Sequence, residues 1–250
     1  MDVGQADCIL VTCNGKNMLI DAGNNDDGDG VVQYLNKQGI EKLDLVIGTH
    51  PHEDHIGGLD NVIDALDVGT IIMPKIPDSI VPTTKTYTSV LESIRSKGLK
   101  ITTPVYGTTY ELGGAVLTIL GPVAEYGDLN NMSVVCRLSY GDTSFLFTGD
   151  AEAEAEEDIL KKSPTLQSTV LKFGHHGSSS SSSDEWLDAV QPKYGVIMCE
   201  TGNKYGHPHR ETLASIQKRG IQAYRTDLDG TIVMTSDGET LSIKTEKESA

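Results

Sequence analysis

The sequence lacks three things. Cations are scarce: 20 Lys and Arg stand against 36 Asp and Glu, a formal net charge of −16. Nucleic acid is held mainly by neutralising phosphates with Lys and Arg. A chain this acidic is a poor non-specific DNA binder unless its few cations gather around one cleft. The same charge favours solubility. Cysteine is also scarce: Cys8, Cys13, Cys136 and Cys199 form no Cys-x-x-Cys pair. Cys8 and Cys13 lie five apart, so on one strand they point to opposite faces, and buried free thiols are expected rather than a disulfide framework. Finally, no apolar run approaches the roughly 18 residues that span a membrane.

What is present is enough for a full core. The 250 residues, 38% of them hydrophobic, fit one domain over 1–250, and 26 glycines imply many tight turns. No charged-then-apolar leader precedes the first strand. Met1 abuts Asp2-Val3-Gly4-Gln5, which reads as the entry to a buried strand. A strand with no lead-in implies that upstream residues are missing, so the residues alone leave the compartment open.

Short β-rich runs at 9–12 and 18–21 flank Asn14-Gly15, a hairpin signal. A helix is expected over 31–38, closed by Gly39. Strand 43–49, helix 57–66, strand 70–73 and helix 89–97 follow. Strands are then expected at 101–105, 109–112, 115–120, 132–139 and 143–148. Helices 151–161, 184–190 and 211–219 alternate with strands 169–173, 194–199 and 222–226, and a hairpin closes over 231–244. Such a pattern calls for sheets covered by helices. The candidate chemical residues fall just after strands, where α/β sheets place ligands.

All seven histidines fall in three clusters: 50/52/55, 175/176 and 207/209. Scattered core or surface histidines would not gather this way. His50 and His52 alternate along an extended segment and share a face, whereas Asp54 and His55 lie where the chain turns into Gly57-Gly58. That spacing suits two adjacent metals better than one. Imidazole and carboxylate are the usual donors for zinc and also serve iron or manganese. The apolar run from Phe145 ends in Gly149-Asp150, where a carboxylate can bridge two cations or merely cap the next helix. Of His175 and His176, one is expected to ligate and the other to contact substrate or donate a proton. His207, held beside Pro208, reads as a general acid or an anion contact, and His209 as the start of the next helix.

Other signals are weaker. The serine run 178–183 reads as a flexible loop, Trp186 as core, the acidic stretch 24–29 as a solvated loop, and Glu152, Glu154, Glu156 and Glu157 as a solvated helix face.

Together, Ile20-Asp21-Ala22-Gly23, His50-x-His52-x-Asp54-His55, Thr148-Gly149-Asp150 and Gly174-His175-His176-Gly177 resemble the metallo-β-lactamase superfamily in order and spacing. Asp2-Val3-Gly4-Gln5-Ala6-Asp7, Asn130-Asn131-Met132-Ser133, Tyr205-Gly206-His207-Pro208-His209 and Arg225-Thr226-Asp227 narrow the likeness to the C-terminal hydrolase domain of ComEC-type competence proteins and free-standing, often secreted, relatives. The resemblance implies an α/β fold, a four-layer αββα sandwich with two divalent metals at one edge. Zinc would be the first choice and manganese the second. His50, His52 and Asp150 would hold one metal. Asp54, His55, Asp150 and one of His175 and His176 would hold the other, and Asp21 would orient ligands.

One departure stands out. Many superfamily members supply a third histidine to the first metal from mid-chain, but no histidine lies between His55 and His175. Asn130, Asn131 and Ser133 occupy that region, so the first site should be weaker or more open. Two metals lower the pKa of bound water so that hydroxide attacks in line. Asp54 and His207 are then the expected catalytic residues, with Asn130 and Ser133 as neutral donors to a phosphoryl oxygen.

The expected activity is a phosphodiesterase of nuclease type, tied to DNA uptake and extracytoplasmic by resemblance. Its substrate would be nucleic acid or, given the charge, a small phosphodiester on an envelope polymer. The alternatives are an acyl hydrolase (lactone, thioester or β-lactam) and a catalytically weak metal-containing binding domain. A ligand set at an exposed strand edge speaks against the last, because structural metal sites are usually closed.

Overall fold

A computed structural model describes residues 1–163 and 165–247. The chain begins with strands β1 (Ile9–Cys13) and β2 (Lys16–Ile20), then helix α1 (Gly28–Lys37) and β3 (Lys42–Ile47). Two short helices follow, α2 (Glu53–Ile56) and α3 (Leu59–Ala65), then β4 (Asp67–Ile72), α4 (Lys85–Ser96) and β5 (Ile101–Thr102). Four strands come next: β6 (Thr109–Leu112), β7 (Ala115–Ile119), β8 (Cys136–Tyr140) and β9 (Thr143–Phe147). The second half alternates α5 (Ala153–Lys162), β10 (Val170–Lys172), α6 (Asp184–Val190), β11 (Tyr194–Ile197), α7 (Arg210–Arg219) and β12 (Gln222–Arg225). Helix α8 (Thr226–Asp229) and a hairpin of β13 (Ile232–Ser236) and β14 (Leu241–Thr245) close the chain.

The strands form a five-stranded sheet, β1-β2-β3-β4-β5, and a seven-stranded one, β12-β11-β10-β9-β8-β7-β6. Side-chain alternation makes each sheet two-faced. On β2 and β3, Met18, Ile20, Leu45 and Ile47 pack with Leu117, Ile119, Leu138 and Phe147 of the other sheet. Leu19 and Val46 instead meet Val31 and Leu35 of α1, Val62 and Ile63 of α3, and Val90 and Ile94 of α4. On the far side, Leu146 and Leu171 pack against Ile159, Trp186, Leu187 and Ile216 of α5, α6 and α7. Three apolar layers therefore separate helices, sheet, sheet and helices, which is the αββα sandwich. No helix among the described residues is long and apolar enough to cross a membrane.

Strands β2, β3 and β4 run parallel, as do β9, β10, β11 and β12, so each set ends along one edge of its sheet. Asn14 and Gly15, at φ 45° and 79°, make the expected hairpin turn. All four cysteines are free, with Cys13 half-buried and the others buried. Trp186 is core, as expected.

Several expected elements differ. The helix expected over 57–66 begins only at Leu59, as α3, and a separate turn, α2, precedes it. Gly57-Gly58 separates the two where backbone passes, since a Cβ on Gly57 would lie 2.2 Å from the Asn24 carbonyl carbon. The strand over 132–139 starts only at Cys136. The residues before it leave the ladder, and the Val134 N–H instead donates to Thr49 O at 2.9 Å. The strand over 101–105 shrinks to two residues. Helix α4 starts four residues early, capped by Thr84 Oγ1 accepting from the Tyr87 N–H at 3.3 Å.

Ile47 is fully buried between the sheets and ends the strand that presents the histidine motif. Ile47→Ala should cost about 2–5 kcal/mol of stability, measured by urea unfolding. A loss under about 1 kcal/mol would contradict tight packing there.

Candidate metal centre

The strand ends deliver the site residues from both sheets. Asp21 follows β2 in the left-handed region at φ 57°. Its carboxylate accepts from the Thr49 N–H at 2.8 Å and the Thr49 hydroxyl at 2.7 Å, so the start of the histidine motif is fixed before any ligand arrives. Asp21 Oδ2 also takes His55 Nδ1 at 2.8 Å, which turns Nε2 of that ring outward. From the other sheet, His176 Nδ1 lies 2.9 Å from Met198 O, again leaving Nε2 free. His175 and His176 sit at φ 49° and 53°, a left-handed pair that costs about 1–3 kcal/mol per residue and is typical of functional sites.

Asp54, His55, Asp150 and His176 each offer a ligand atom within 4.8 Å of the others. His55 Nε2 and Asp150 Oδ1 are 3.2 Å apart, and His176 Nε2 is 3.3 Å from Asp54 Oδ2. Three of the facing atoms, His55 Nε2, His176 Nε2 and Asp150 Oδ1, are buried without a hydrogen-bond partner. Buried polar atoms are rarely left unmatched. Their convergence in a nitrogen and carboxylate donor set fits a divalent cation. Asp150 does not cap α5, whose N-cap is Glu152.

In the second pair His50 is fully buried and His52 half-buried. His50 Nε2 and His52 Nδ1 face each other at 3.0 Å, with Asp150 Oδ2 3.9 Å from His50 Nε2. Ser133 differs from expectation. It is fully buried, and its hydroxyl contacts His50 Nδ1 at 3.2 Å and accepts from the Asp150 N–H at 3.0 Å. It therefore holds two site residues rather than reaching a substrate, because the chain leaves β8 early at this point. Asn130, half-buried, donates from Nδ2 to Glu152 Oε1 at 3.2 Å.

His175 stands apart from the four-residue cluster. Its Nδ1 lies 3.0 Å from Glu152 Oε1 and its Nε2 3.8 Å from Asp150 Oδ2. Beyond it lies His207, whose ring centroid is 5.3 Å from that of His175 and whose Nδ1 is 3.3 Å from Gln5 Nε2. His209 is the N-cap residue of α7, as expected.

Sequence reasoning missed four contributors. Asp7 and Lys172, both buried, form an ion pair under the site. Glu152 and Glu156, expected on a solvated helix face, are not freely solvated. Instead Glu152 holds His175, Asn130 and the Ser180 hydroxyl. Glu156 is buried and accepts from the Ser182 and Ser183 N–H groups at 2.5 and 2.9 Å. The serine loop is thus pinned, because its unpaired amides need an acceptor that only an inward carboxylate supplies. Alternation along β10 was the available signal for Lys172: Leu171 packs under the helices, so its neighbour faces the other sheet.

The charges settle accordingly. Burial pushes His55 down, but the Asp150 and Asp21 carboxylates outweigh it and hold the ring well above its ordinary value. Burial raises Asp150, but His55 and His176 hold it well below the usual carboxylate range. Burial, reinforced by His55, keeps His50 neutral. Burial, with His175 and His176 nearby, lowers His207 to about 4.

Comparison with known proteins gives the family and the fold. The family model described as the metallo-beta-lactamase superfamily matches residues 1–201. The chain is 33% identical over 203 residues to ComE operon protein 3 of Bacillus subtilis (strain 168), covering 81% of this chain and 26% of that protein. It is 30% identical over 234 residues to competence protein ComA of Neisseria gonorrhoeae, covering 92% and 31%. The chain thus spans between about a quarter and a third of the length of these relatives. Among solved structures, CmlA, a diiron beta-hydroxylase from Streptomyces venezuelae, aligns with a TM-score of 0.59 at 17% identity, covering 89% of this chain and 51% of that one. Zn(2+)-bound PqqB from Methylobacterium extorquens aligns at 0.54 and 13% identity, covering 88% and 85%. At such identities the likeness is one of fold.

In metal-free protein the His207 ring should titrate near pH 4 by NMR, below its ordinary 6.5. Its contribution to stability is intact above 6.5 and lost as the pH falls towards about 4. A midpoint near 6.5 would contradict the burial described.

Proposed function

The chain belongs to the metallo-β-lactamase superfamily, and from that premise we propose that it is a metal-dependent phosphodiesterase of nuclease type. The observation that carries the hydrolase reading is the convergence of the unmatched atoms His55 Nε2, His176 Nε2 and Asp150 Oδ1 beside Asp54. Asp54, His55, Asp150 and His176 would hold one divalent cation, and His50 and His52, with Asp150, a second. Zinc is the first choice for these donors and manganese the second. Bound there, the cations supply a water of lowered pKa as nucleophile and positive charge for the phosphoryl oxygen.

The remaining work falls to the chain's own side chains. Asp21 and Thr49 hold the histidine motif in register, and Ser133 fixes His50 and the Asp150 backbone. His175, with Nδ1 against the Glu152 carboxylate and Nε2 facing the site, is oriented to protonate the leaving oxygen. His207, neutral near pH 7, suits hydrogen bonding to a phosphoryl oxygen. Its Nδ1 faces the Gln5 amide donor, which leaves Nε2–H to donate. Asn130 is a further neutral donor at this edge.

Phosphodiesters are favoured over acyl substrates because the relatives are named for competence and, in Haemophilus influenzae, for recombination, a context of nucleic acid. The net charge of −16 favours a small footprint on such a polymer. A cleft of about 550 Å³ beside Asp54 is lined by Asp27, Glu53 and Glu200 with Lys204. Its carboxylates oppose a long polyanion, which leaves a short segment or a small phosphodiester of an envelope polymer as the substrate. An extracytoplasmic setting belongs with this reading.

Protein purified without chelator should carry zinc or manganese and hydrolyse bis-p-nitrophenyl phosphate and single-stranded DNA, but not a lactone. His52→Ala combined with Asp150→Ala should abolish turnover. His175→Ala should lower kcat by roughly 10²–10⁴ for an alkyl leaving group and far less for p-nitrophenolate, which needs no proton. Lactone turnover alone would overturn the phosphodiester assignment, and turnover that survives the double substitution would overturn the site.

A further inference from the structure

Beneath the four-residue cluster lies a charged pair that the proposed chemistry does not use. Lys172 is the last residue of β10 and 3% exposed, an unusual place for an ammonium. Its Nζ pairs with Asp7 Oδ2, donates to Gly149 O at 3.0 Å, and lies 3.8 Å from Asp150 Oδ1. Asp7 is 1% exposed and comes from the N-terminal segment, whose Asp7 N–H donates to Asp54 O at 3.0 Å. Its Oδ2 is 3.8 Å from His55 Nδ1 and its Oδ1 3.4 Å from His176 Nδ1. That second oxygen has no hydrogen-bond partner. The pair therefore touches three of the four clustered residues and the backbone of the fourth.

The charge balance explains why a pair, and not either member alone, belongs there. Asp7, Asp21, Asp54 and Asp150 crowd together, and among the described residues Lys172 is the only Lys or Arg paired with any of them. An unpaired Asp7 would add a full negative charge behind His55 and His176 and draw cations in. An unpaired Lys172 would sit beside Asp150 and compete with a metal for its oxygen. At separations this short inside a protein, one unit charge changes ion binding substantially.

We propose that Asp7 and Lys172 are positioning residues for the metal centre, a neutral pair that orients Asp150 through Gly149 and sets the centre's affinity for divalent cations. This rests on the metal-centre reading above. It goes beyond it by giving the two partners opposite effects on the same equilibrium, which a purely structural ion pair would not produce.

The test is metal binding by the full chain, with zinc and manganese ions alone as probes. Affinity is read by competition with a chromogenic chelator and by the rise in Tm on adding metal. Asp7→Asn should weaken binding by roughly tenfold or more, and Lys172→Met should tighten it by a similar factor. The double variant should return to within about threefold of wild type, and Lys172→Arg should stay near wild type because it keeps the charge. Lys172→Met leaves two buried carboxylates without their cation and risks instability. Comparing the double variant with Asp7→Asn alone isolates the lysine charge without it, and removing the lysine from that background should tighten binding.

Weaker binding on every substitution, the double variant included, would overturn the proposal and leave a structural ion pair. Wild-type protein that binds neither ion would overturn the metal-centre reading itself, and this inference with it. Normal wild-type binding with no opposite-signed effects would overturn the inference alone.

Discussion

His55 Nε2 meets Asp150 Oδ1 at 3.2 Å, and at that contact the two sheets of the sandwich present their edges to each other. Asp54 and His55 follow β3, whereas Asp150 and His176 follow β9 and β10 of the other sheet. Neither sheet alone could assemble the set. The apolar layer between them, with Ile20, Ile47, Ile119 and Phe147 among its members, fixes how far apart the two strand edges stand. Packing in that layer is therefore what positions the chemistry.

The same constraint carries a cost. Four carboxylates are gathered at one edge, three of them buried, and Asp21, His175 and His176 adopt left-handed backbone. Each such residue costs about 1–3 kcal/mol unless its surroundings compensate. Compensation is visible around every one. Thr49 satisfies Asp21, Glu152 engages His175 and Met198 O takes His176 Nδ1, while Lys172 pairs with Asp7. A cation bound only by the folded chain would add stability in proportion to its affinity. A centre whose inward ring nitrogens are already oriented by Asp21 and Met198 spends little on reorganisation when it binds.

Much of this was legible in the residues. Clustering of all seven histidines after strands marked the edge, and motif order marked the sandwich. His50, His52, Asp54, His55, Asp150 and the 175/176 pair come together in space, and the geometry separates His176, in the cluster, from His175, on Glu152. Legibility failed where a residue's role depends on contacts distant in sequence. Ser133 looked like a substrate donor because nothing local announces that the chain leaves β8 to lie under His50. Glu152 and Glu156 looked solvated because an acid-rich helix start usually is, and only the serine loop folding back over α5 turns them inward. Lys172 carried a faint local signal, a charged residue at an inward position of a three-residue strand. Its partner Asp7 lies 165 positions away along the chain.

The most direct measurement is anomalous diffraction from crystals of the chain grown with zinc. The account predicts a peak coordinated by Asp54, His55, Asp150 and His176, with His175 left on Glu152 and a second, weaker peak near His50 and His52. A peak coordinated by His175 in place of His176, or zinc bound only at surface carboxylates with the cluster empty, would contradict it.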